Sequence, residues 1–113
     1  MKKILFLSCL LLLGIFSIDA QTIYKAKYES QADLNVFIVK YESQADLNVY
    51  FVNYESQASK DGLWYAVEYE SQADYKVYFV DYESQANLKI FIVNYESQAG
   101  WQNQSKQHLL KFK

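Results

Sequence analysis

The side chains of this sequence that could do chemistry are carboxylates that recur at one position of a repeated phrase. Tyr-Glu-Ser-Gln-Ala occurs six times, and successive copies begin 13, 13, 15, 13 and 13 residues apart. The repeated glutamates are Glu29, Glu42, Glu55, Glu70, Glu83 and Glu96. If they gathered along one edge, their oxygens could bind Ca²⁺, and two of them could hydrolyse a glycosidic bond.

The simpler interpretation of these glutamates is structural. No Asp-x-Asp-x-Asp spacing supports a calcium loop. Glycoside hydrolysis needs two carboxyl groups of different pKa, and identical repeated glutamates are poor candidates for that difference. We therefore expect each glutamate to be solvated beside a turn or to bond a backbone amide there.

The tyrosine and the glutamine of the phrase also have a structural and a functional interpretation. The tyrosines are Tyr28, Tyr41, Tyr54, Tyr69, Tyr82 and Tyr95, and the glutamines are Gln31, Gln44, Gln57, Gln72, Gln85 and Gln98. A strip of tyrosines could stack on sugar rings, but we expect the rings to pack at strand ends with their hydroxyl groups in water. We expect the glutamines, with the serines before them, to bond the local backbone. The whole signature is thus predicted to be structural.

The rest of the chain offers no catalytic set. His108 is the only histidine, and the only cysteine, Cys9, lies in an apolar N-terminal run. A zinc site or a Cys/His nucleophile pair is therefore not expected, and a Ser-His-Asp arrangement through His108 would lack a nucleophile elbow. The formal net charge is −2 and no basic patch stands out, which argues against nucleic-acid binding. We predict a protein that is not an enzyme and needs no metal or cofactor.

Apolar segments before each signature must position it. They read Leu-x-Val-Phe/Tyr-Ile/Phe-Val-x-Tyr and occupy Leu34–Tyr41, Leu47–Tyr54, Tyr75–Tyr82 and Leu88–Tyr95. β-branched and aromatic residues of this kind predict strands. Because the four central positions are all apolar, we expect the strand centres to be covered on both faces.

The links between these strands are predicted to be short helical turns. Glu-Ser-Gln-Ala contains neither Gly nor Pro, so it lacks the residues that a two-residue hairpin needs. Glu, Gln and Ala favour about one turn of helix, which can carry the chain to another layer or to a non-adjacent strand. The fold class is therefore β-rich, α+β with short helical turns, built from six strand-turn repeats of about 13 residues.

The repeats divide the chain into an export signal and one domain. Lys2 and Lys3, an apolar run and Ser17–Ala20 predict a bacterial-style signal peptide over residues 1–20, cleaved before Gln21. Residues 21–113 form a single domain, with halves at about 21–58 and 63–99 around a loop and a tail at 100–113. We expect a secreted or periplasmic protein with no membrane span after cleavage.

The repeated unit resembles a known family. Units such as Val-Tyr-Phe-Val-x-Tyr-Glu-Ser-Gln-Ala, running from Ile23 to about Ala99, are similar to those of the Septknot family. These are small bacterial proteins of unknown function whose chain is described as a seven-crossing torus knot. The resemblance implies a deeply knotted topology and, through it, slow unfolding.

Three functions follow from this reading of the chain. We expect first an exported, non-enzymatic structural or binding domain, monomeric, whose partner could be an envelope glycan or protein. The alternative is a fibre-forming, amyloid-like extracellular protein, because near-identical strands from different chains can pair in register. A hydrolase that works through its carboxylates ranks last.

Overall fold

The computed structural model describes residues 21–110, so the predicted signal peptide lies outside the described residues, as does the end of the tail. The protein is β-rich with short helical turns, as predicted. The strands are β1 Thr22–Lys25, β2 Leu34–Ile38, β3 Leu47–Phe51, β4 Leu63–Ala66, β5 Tyr75–Phe79, β6 Leu88–Ile92 and β7 Gly100–Trp101. The 3₁₀ helices are η1 Glu29–Gln31, η2 Glu42–Gln44, η3 Glu55–Gln57, η4 Glu70–Gln72, η5 Glu83–Gln85, η6 Glu96–Gln98 and η7 Gln104–Leu110.

Each signature forms the same turn through its backbone. In the second copy, Tyr41 is extended, with φ −124° and ψ 137°. Its carbonyl accepts a hydrogen bond from the Gln44 N–H at 3.0 Å, and the Glu42 carbonyl accepts one from the Ala45 N–H at 3.1 Å. The turn therefore depends on backbone groups that any residue except proline could supply at these positions.

Strands β1 to β6 form one closed sheet in which every pairing is parallel. The order of neighbours is β4-β1-β5-β2-β6-β3, and β3 pairs with β4 to complete the ring. Strand β7 adds antiparallel to the start of β3. Strands β1 to β3 hydrogen-bond only to strands that follow the central loop. The two halves of the chain thus alternate around the ring.

The short turns cross over the strands that separate consecutive partners. Turn η1 joins β1 to β2 and contacts β5, which lies between them, and η2 joins β2 to β3 and contacts β6. Turns η4 and η5 cross β1 and β2 in the same way. Parallel strands need such crossovers, since a hairpin can join only antiparallel neighbours. The expectation that a link reaches a non-adjacent strand is confirmed.

The register advances by two residues at each step around the ring. Lys25 pairs with Val77, Phe79 with Val36, and Ile38 with Ile90. Since the advance is the same at every step, equivalent residues of the six repeats lie at one level. The central level is fully buried, at 0% exposure, and consists of Ile23, Val77, Val36, Ile90, Val49 and Trp64.

The prediction that strand centres are covered on both faces is wrong. In β2, Leu34 and Val36 are buried, Phe37 is half-buried and Ile38 is exposed. The closed sheet has one dry interior, so only alternate side chains enter the core. The crossovers cover part of the outer face. Ile38 lies at the open end of the interior and is therefore exposed to solvent.

One end of the closed sheet is covered by the tail. Leu110 is part of the core cluster and Leu109 packs against it. The Tyr75 hydroxyl donates a hydrogen bond to the Leu110 carbonyl at 2.5 Å. This helix, η7, is far too short and polar to span a bilayer, and within residues 21–110 no helix could do so. It instead closes the end of the ring at which the strands begin.

The irregular middle unit fastens β4 to its neighbours. The Asp61 carbonyl accepts a hydrogen bond from Trp64 Nε1, and its carboxylate accepts one from Trp101 Nε1, both at 2.7 Å. Gly62 follows in a crowded position, where a Cβ would lie 2.6 Å from the Asn48 carbonyl oxygen and 2.7 Å from the Gly100 nitrogen. The predicted loop thus allows β4 to approach β3 and β7 closely.

Candidate functional site

The signature tyrosines are the most exposed large hydrophobic side chains among residues 21–110. All six are between 61% and 68% exposed. The expectation that their rings pack into the domain is therefore wrong. The residue two positions before the tyrosine is buried instead. Val39 is buried before Tyr41, and Val52 is buried before Tyr54. Because equivalent residues lie at one level, the six rings form a belt around the closed sheet, the tyrosine belt.

Four of the six signature glutamates connect their turn to the outer face of the following strand. Glu29 accepts a hydrogen bond from Asn35 Nδ2 at 2.7 Å, and Glu42 accepts one from Asn48 Nδ2 at 2.8 Å. In the second half, Lys76 pairs with Glu70, and Lys89 with Glu83, each at 3.3 Å. All six glutamates are exposed beside their turns, which agrees with one of the two expected arrangements. In these four the partner is a side chain six residues later rather than a backbone amide, which was the other expected arrangement.

The glutamates are also dispersed, one to each repeat. Within residues 21–110, no three acidic, histidine or cysteine side chains come together as a metal site. His108 is exposed on η7, where its Nδ1 lies 3.0 Å from the Ser105 carbonyl oxygen. The structure therefore does not assemble the signature carboxylates and His108 into one centre.

The expectation that the signature glutamines bond the local backbone with their side chains is wrong for five of the six, which contribute to the turn through their own N–H groups. Gln57 is the exception, because its Oε1 accepts a hydrogen bond from the Tyr54 N–H at 3.2 Å. Over residues 21–110, no other signature glutamine makes a hydrogen bond with its side chain. The side-chain amides of all six signature glutamines are exposed.

The sequence interpretation missed the residue that follows the signature. The Asp46 N–H donates to the Lys89 carbonyl at 2.7 Å, and the Lys89 N–H donates back to Asp46 Oδ2 at 2.9 Å. Asp33 and Asn87 form the same reciprocal pair with Lys76 and Asn35. The signal was present, since Asp or Asn follows four of the six signatures and is absent only before the central loop and the tail.

A groove opens on the belt where the third repeat meets the fourth. Its volume is about 620 Å³, and Tyr65, Tyr69, Glu55, Glu68 and Gln72 are among its lining residues. Small-molecule sites commonly have volumes of about 300–1,000 Å³ and combine apolar walls with a few polar groups. Two rings, two carboxylates and an amide suit a ligand with flat faces and many hydroxyl groups.

The interior of the ring is open where the strands end. The inward residues at this level are, in ring order, Lys25, Phe79, Ile38, Ile92, Phe51 and Ala66, and we call them the apolar mouth. Lys25 Nζ lies 5.6 Å from the Phe51 ring centre and 5.8 Å from that of Phe79. Such distances allow cation–π attraction, so the one charged member is held against the aromatic pair.

Comparison with protein families decides the relationship. A model described as the 7(1) septoil knot domain matches residues 20–102, which include all seven strands. The chain belongs to the Septknot family. The resemblance inferred from the repeated unit is thereby confirmed. Comparisons with curated proteins and with solved structures give no match.

Proposed function

We propose that the protein is an exported, non-enzymatic binding domain whose tyrosine belt binds a glycan of the bacterial cell envelope. The observation that carries this proposal is the uniform exposure of the six signature tyrosines. The turn requires only their backbone atoms, so the fold does not explain why the ring is present six times. A binding role explains it.

The chemistry of the belt suits a sugar polymer. An aromatic face carries partial negative charge, which attracts the C–H groups on the flat side of a sugar ring. Signature glutamates and glutamines beside each ring can bond sugar hydroxyl groups. Six equivalent weak sites on one domain also suit a repeating ligand, because each further contact is made at high effective concentration. The groove at Tyr65 and Tyr69 would be one of these subsites.

The test is retention of the purified protein on insoluble peptidoglycan and on a β-1,4-linked N-acetylglucosamine polymer. Combining Tyr41→Ala, Tyr69→Ala and Tyr95→Ala should weaken retention about tenfold or more, since each stacked ring is worth about 0.5–1.5 kcal/mol. The matched triple Tyr→Phe variant keeps the rings and should bind nearly as the wild type does. Equal retention of the Ala variant, with an unchanged circular dichroism spectrum, would contradict the proposal.

We also propose that the chain is knotted as its family description says and that the knot slows unfolding outside the cell. The support is the alternation of the two halves, in which crossovers of each half lie outside strands of the other. Such a chain cannot leave the ring without withdrawing an end past several crossovers. Unfolding in strong denaturant should take hours or longer, and complete unfolding within seconds would count against it.

Export through a cleaved signal peptide belongs to the same proposal. The N-terminal charges and apolar run are its support. N-terminal sequencing of the protein recovered from a bacterial periplasm or culture medium should begin at or near Gln21. Recovery only inside the cytoplasm, with Met1 or Lys2 still present, would oppose it.

Fibre formation is less well supported in the folded state. Each of the strands β1 to β6 is paired on both sides within the chain. A strand paired on both sides offers no edge to a strand from another molecule. In-register assembly would therefore require the ring to open first.

A further inference from the structure

We propose that the apolar mouth is a self-association surface and that two copies of the chain dock mouth to mouth about a two-fold axis. This inference is independent of the glycan proposal, and it replaces the monomer expected from the sequence. It rests on an uncovered apolar end, on the order of charges around that end, and on the fit between the side chains that would meet.

The two ends of the closed sheet differ in cover. At the end where strands begin, η7 packs on the core, and both Gln21 and Leu110 lie at this end. At the other end, Ile38 is 48% exposed and Ile92 is 37% exposed. Within residues 21–110, no segment covers that end. An apolar cluster left open in this way marks an interaction surface.

Charges around the mouth follow a regular order. Two positions beyond each mouth residue lies an exposed side chain, and we call this set the charged rim. In ring order, its members are Lys27, Asp81, Lys40, Asn94, Asn53 and Glu68. The positive charges all come from the first half and the negative charges all come from the second, so the alternation of the halves intersperses them.

The charged rim is complementary to itself. A two-fold axis across the mouth reverses the ring order of one copy relative to the other. One rotational setting then places Lys27 opposite Asp81 of the second copy, and Lys40 opposite Glu68 of the second copy. Asn53 and Asn94 face each other in the same setting. Each contact occurs twice by symmetry, so every charge of both rims meets an opposite charge.

The apolar mouth fits in this same setting. Lys25 would face the Phe79 ring of the second copy, which extends the cation–π contact already present within the chain. The small Ala66 would face the exposed Ile38, and Phe51 would face Ile92. The small Ala66 leaves room for Ile38, and docking removes both exposed isoleucines from water. One mouth residue, Ala66, and one rim residue, Glu68, also line the groove on the tyrosine belt, so docking would cover part of that groove.

The experiment is sedimentation equilibrium of the purified mature chain, residues 21–113, over a range of concentrations up to about 1 mM, the range in which weak dimers form. The wild type should show a monomer–dimer equilibrium. Lys40→Glu alone and Glu68→Lys alone should each weaken association about tenfold or more, because each places like charges in contact twice. The double variant Lys40→Glu/Glu68→Lys restores opposite charges and should recover dimerisation.

Controls separate this result from misfolding and from general charge effects. Lys40 and Glu68 are exposed, so neither change should disturb the fold. Lys60→Glu alters the charge equally but lies in the central loop, and it should leave dimerisation unchanged. A wild type that stays monomeric throughout, or a double variant no better than the singles, overturns the proposal. Sedimentation of a monomeric wild type with phospholipid vesicles would assign the mouth to a membrane surface and would also overturn it.

Discussion

Four residues fix the register of the closed sheet, and each lies immediately before a strand: Asp33, Asp46, Asp74 and Asn87. Each donates its own N–H to a neighbouring strand, and its side chain accepts the N–H of that same neighbour. Parallel strands of this kind could slip by two residues and still turn the same alternate side chains toward the core. Such a slip would break these reciprocal hydrogen bonds, and this loss makes it unfavourable.

Asp46 is the buried member of this group, and its loss should be the most damaging. Asp46→Ala leaves the Lys89 N–H without its carboxylate acceptor and removes a contact from Asn103 Nδ2 at 3.1 Å. We expect the free energy of unfolding to fall by about 1–3 kcal/mol, measured by denaturant titration. Asp46→Asn is the matched control, because Asn87 does the same task with an amide oxygen. Equal stability of the two variants would refute this role.

The signature tyrosines show where inference from residue type fails. An aromatic residue at a strand end is usually half-buried, so packing was the reasonable expectation. The valine two positions before the tyrosine is buried, and the tyrosine ring points away from the core. The alternation of residues in the sequence does not show whether the tyrosine or the valine is buried, since either arrangement places an apolar residue near the turn.

At the scale of elements, the strands and turns could be predicted, but their pairing could not. The Val-Phe-Ile-Val segments predicted strands, and the absence of Gly and Pro from the links predicted helical turns. The order of strands is not encoded in any one segment, because six similar strands could pair in many orders. The strand order is fixed only in the complete ring, where crossovers of similar length make the two halves alternate. For the same reason, Ile38 and Ile92 could not be recognised as mouth residues.

The close approach of β4 to β3 and β7 depends on Gly62. A methyl group at this position would meet backbone atoms on both sides, and those atoms belong to paired strands that cannot move apart freely. Gly62→Ala should lower the free energy of unfolding by about 1–3 kcal/mol, as overpacking does. The thermal unfolding midpoint is the measurement, with Ser59→Ala, an exposed change in the same loop, as control. A Gly62→Ala midpoint equal to that of the control would disprove this account of the middle unit.

At the scale of the molecule, alternation of the halves makes the fold all-or-none. Every strand of the first half takes its hydrogen bonds from strands that follow the central loop. A half alone would carry only unpaired parallel strands, which have no partner in their own half. The tandem repeats therefore do not behave as a stack in which each unit supports only its neighbours.

Separate halves should consequently be unfolded. A peptide of residues 21–58 is expected to show a disordered circular dichroism spectrum and collapsed amide dispersion in NMR. The intact domain, at the same concentration, provides the control spectrum. A monomeric half with a stable sheet would mean that the strands can pair within one half, contrary to the observed order.

In the glycan proposal, six single tyrosines together form one binding surface, and one NMR measurement tests this most directly. Labelled tyrosine ring signals would be followed while a soluble β-1,4-linked N-acetylglucosamine hexamer is added. Signature rings such as Tyr69 should shift, whereas the buried Tyr75, whose hydroxyl bonds the Leu110 carbonyl, should stay in place. If no signature ring shifts, or if Tyr75 moves as much as they do, the belt is not a sugar-binding surface.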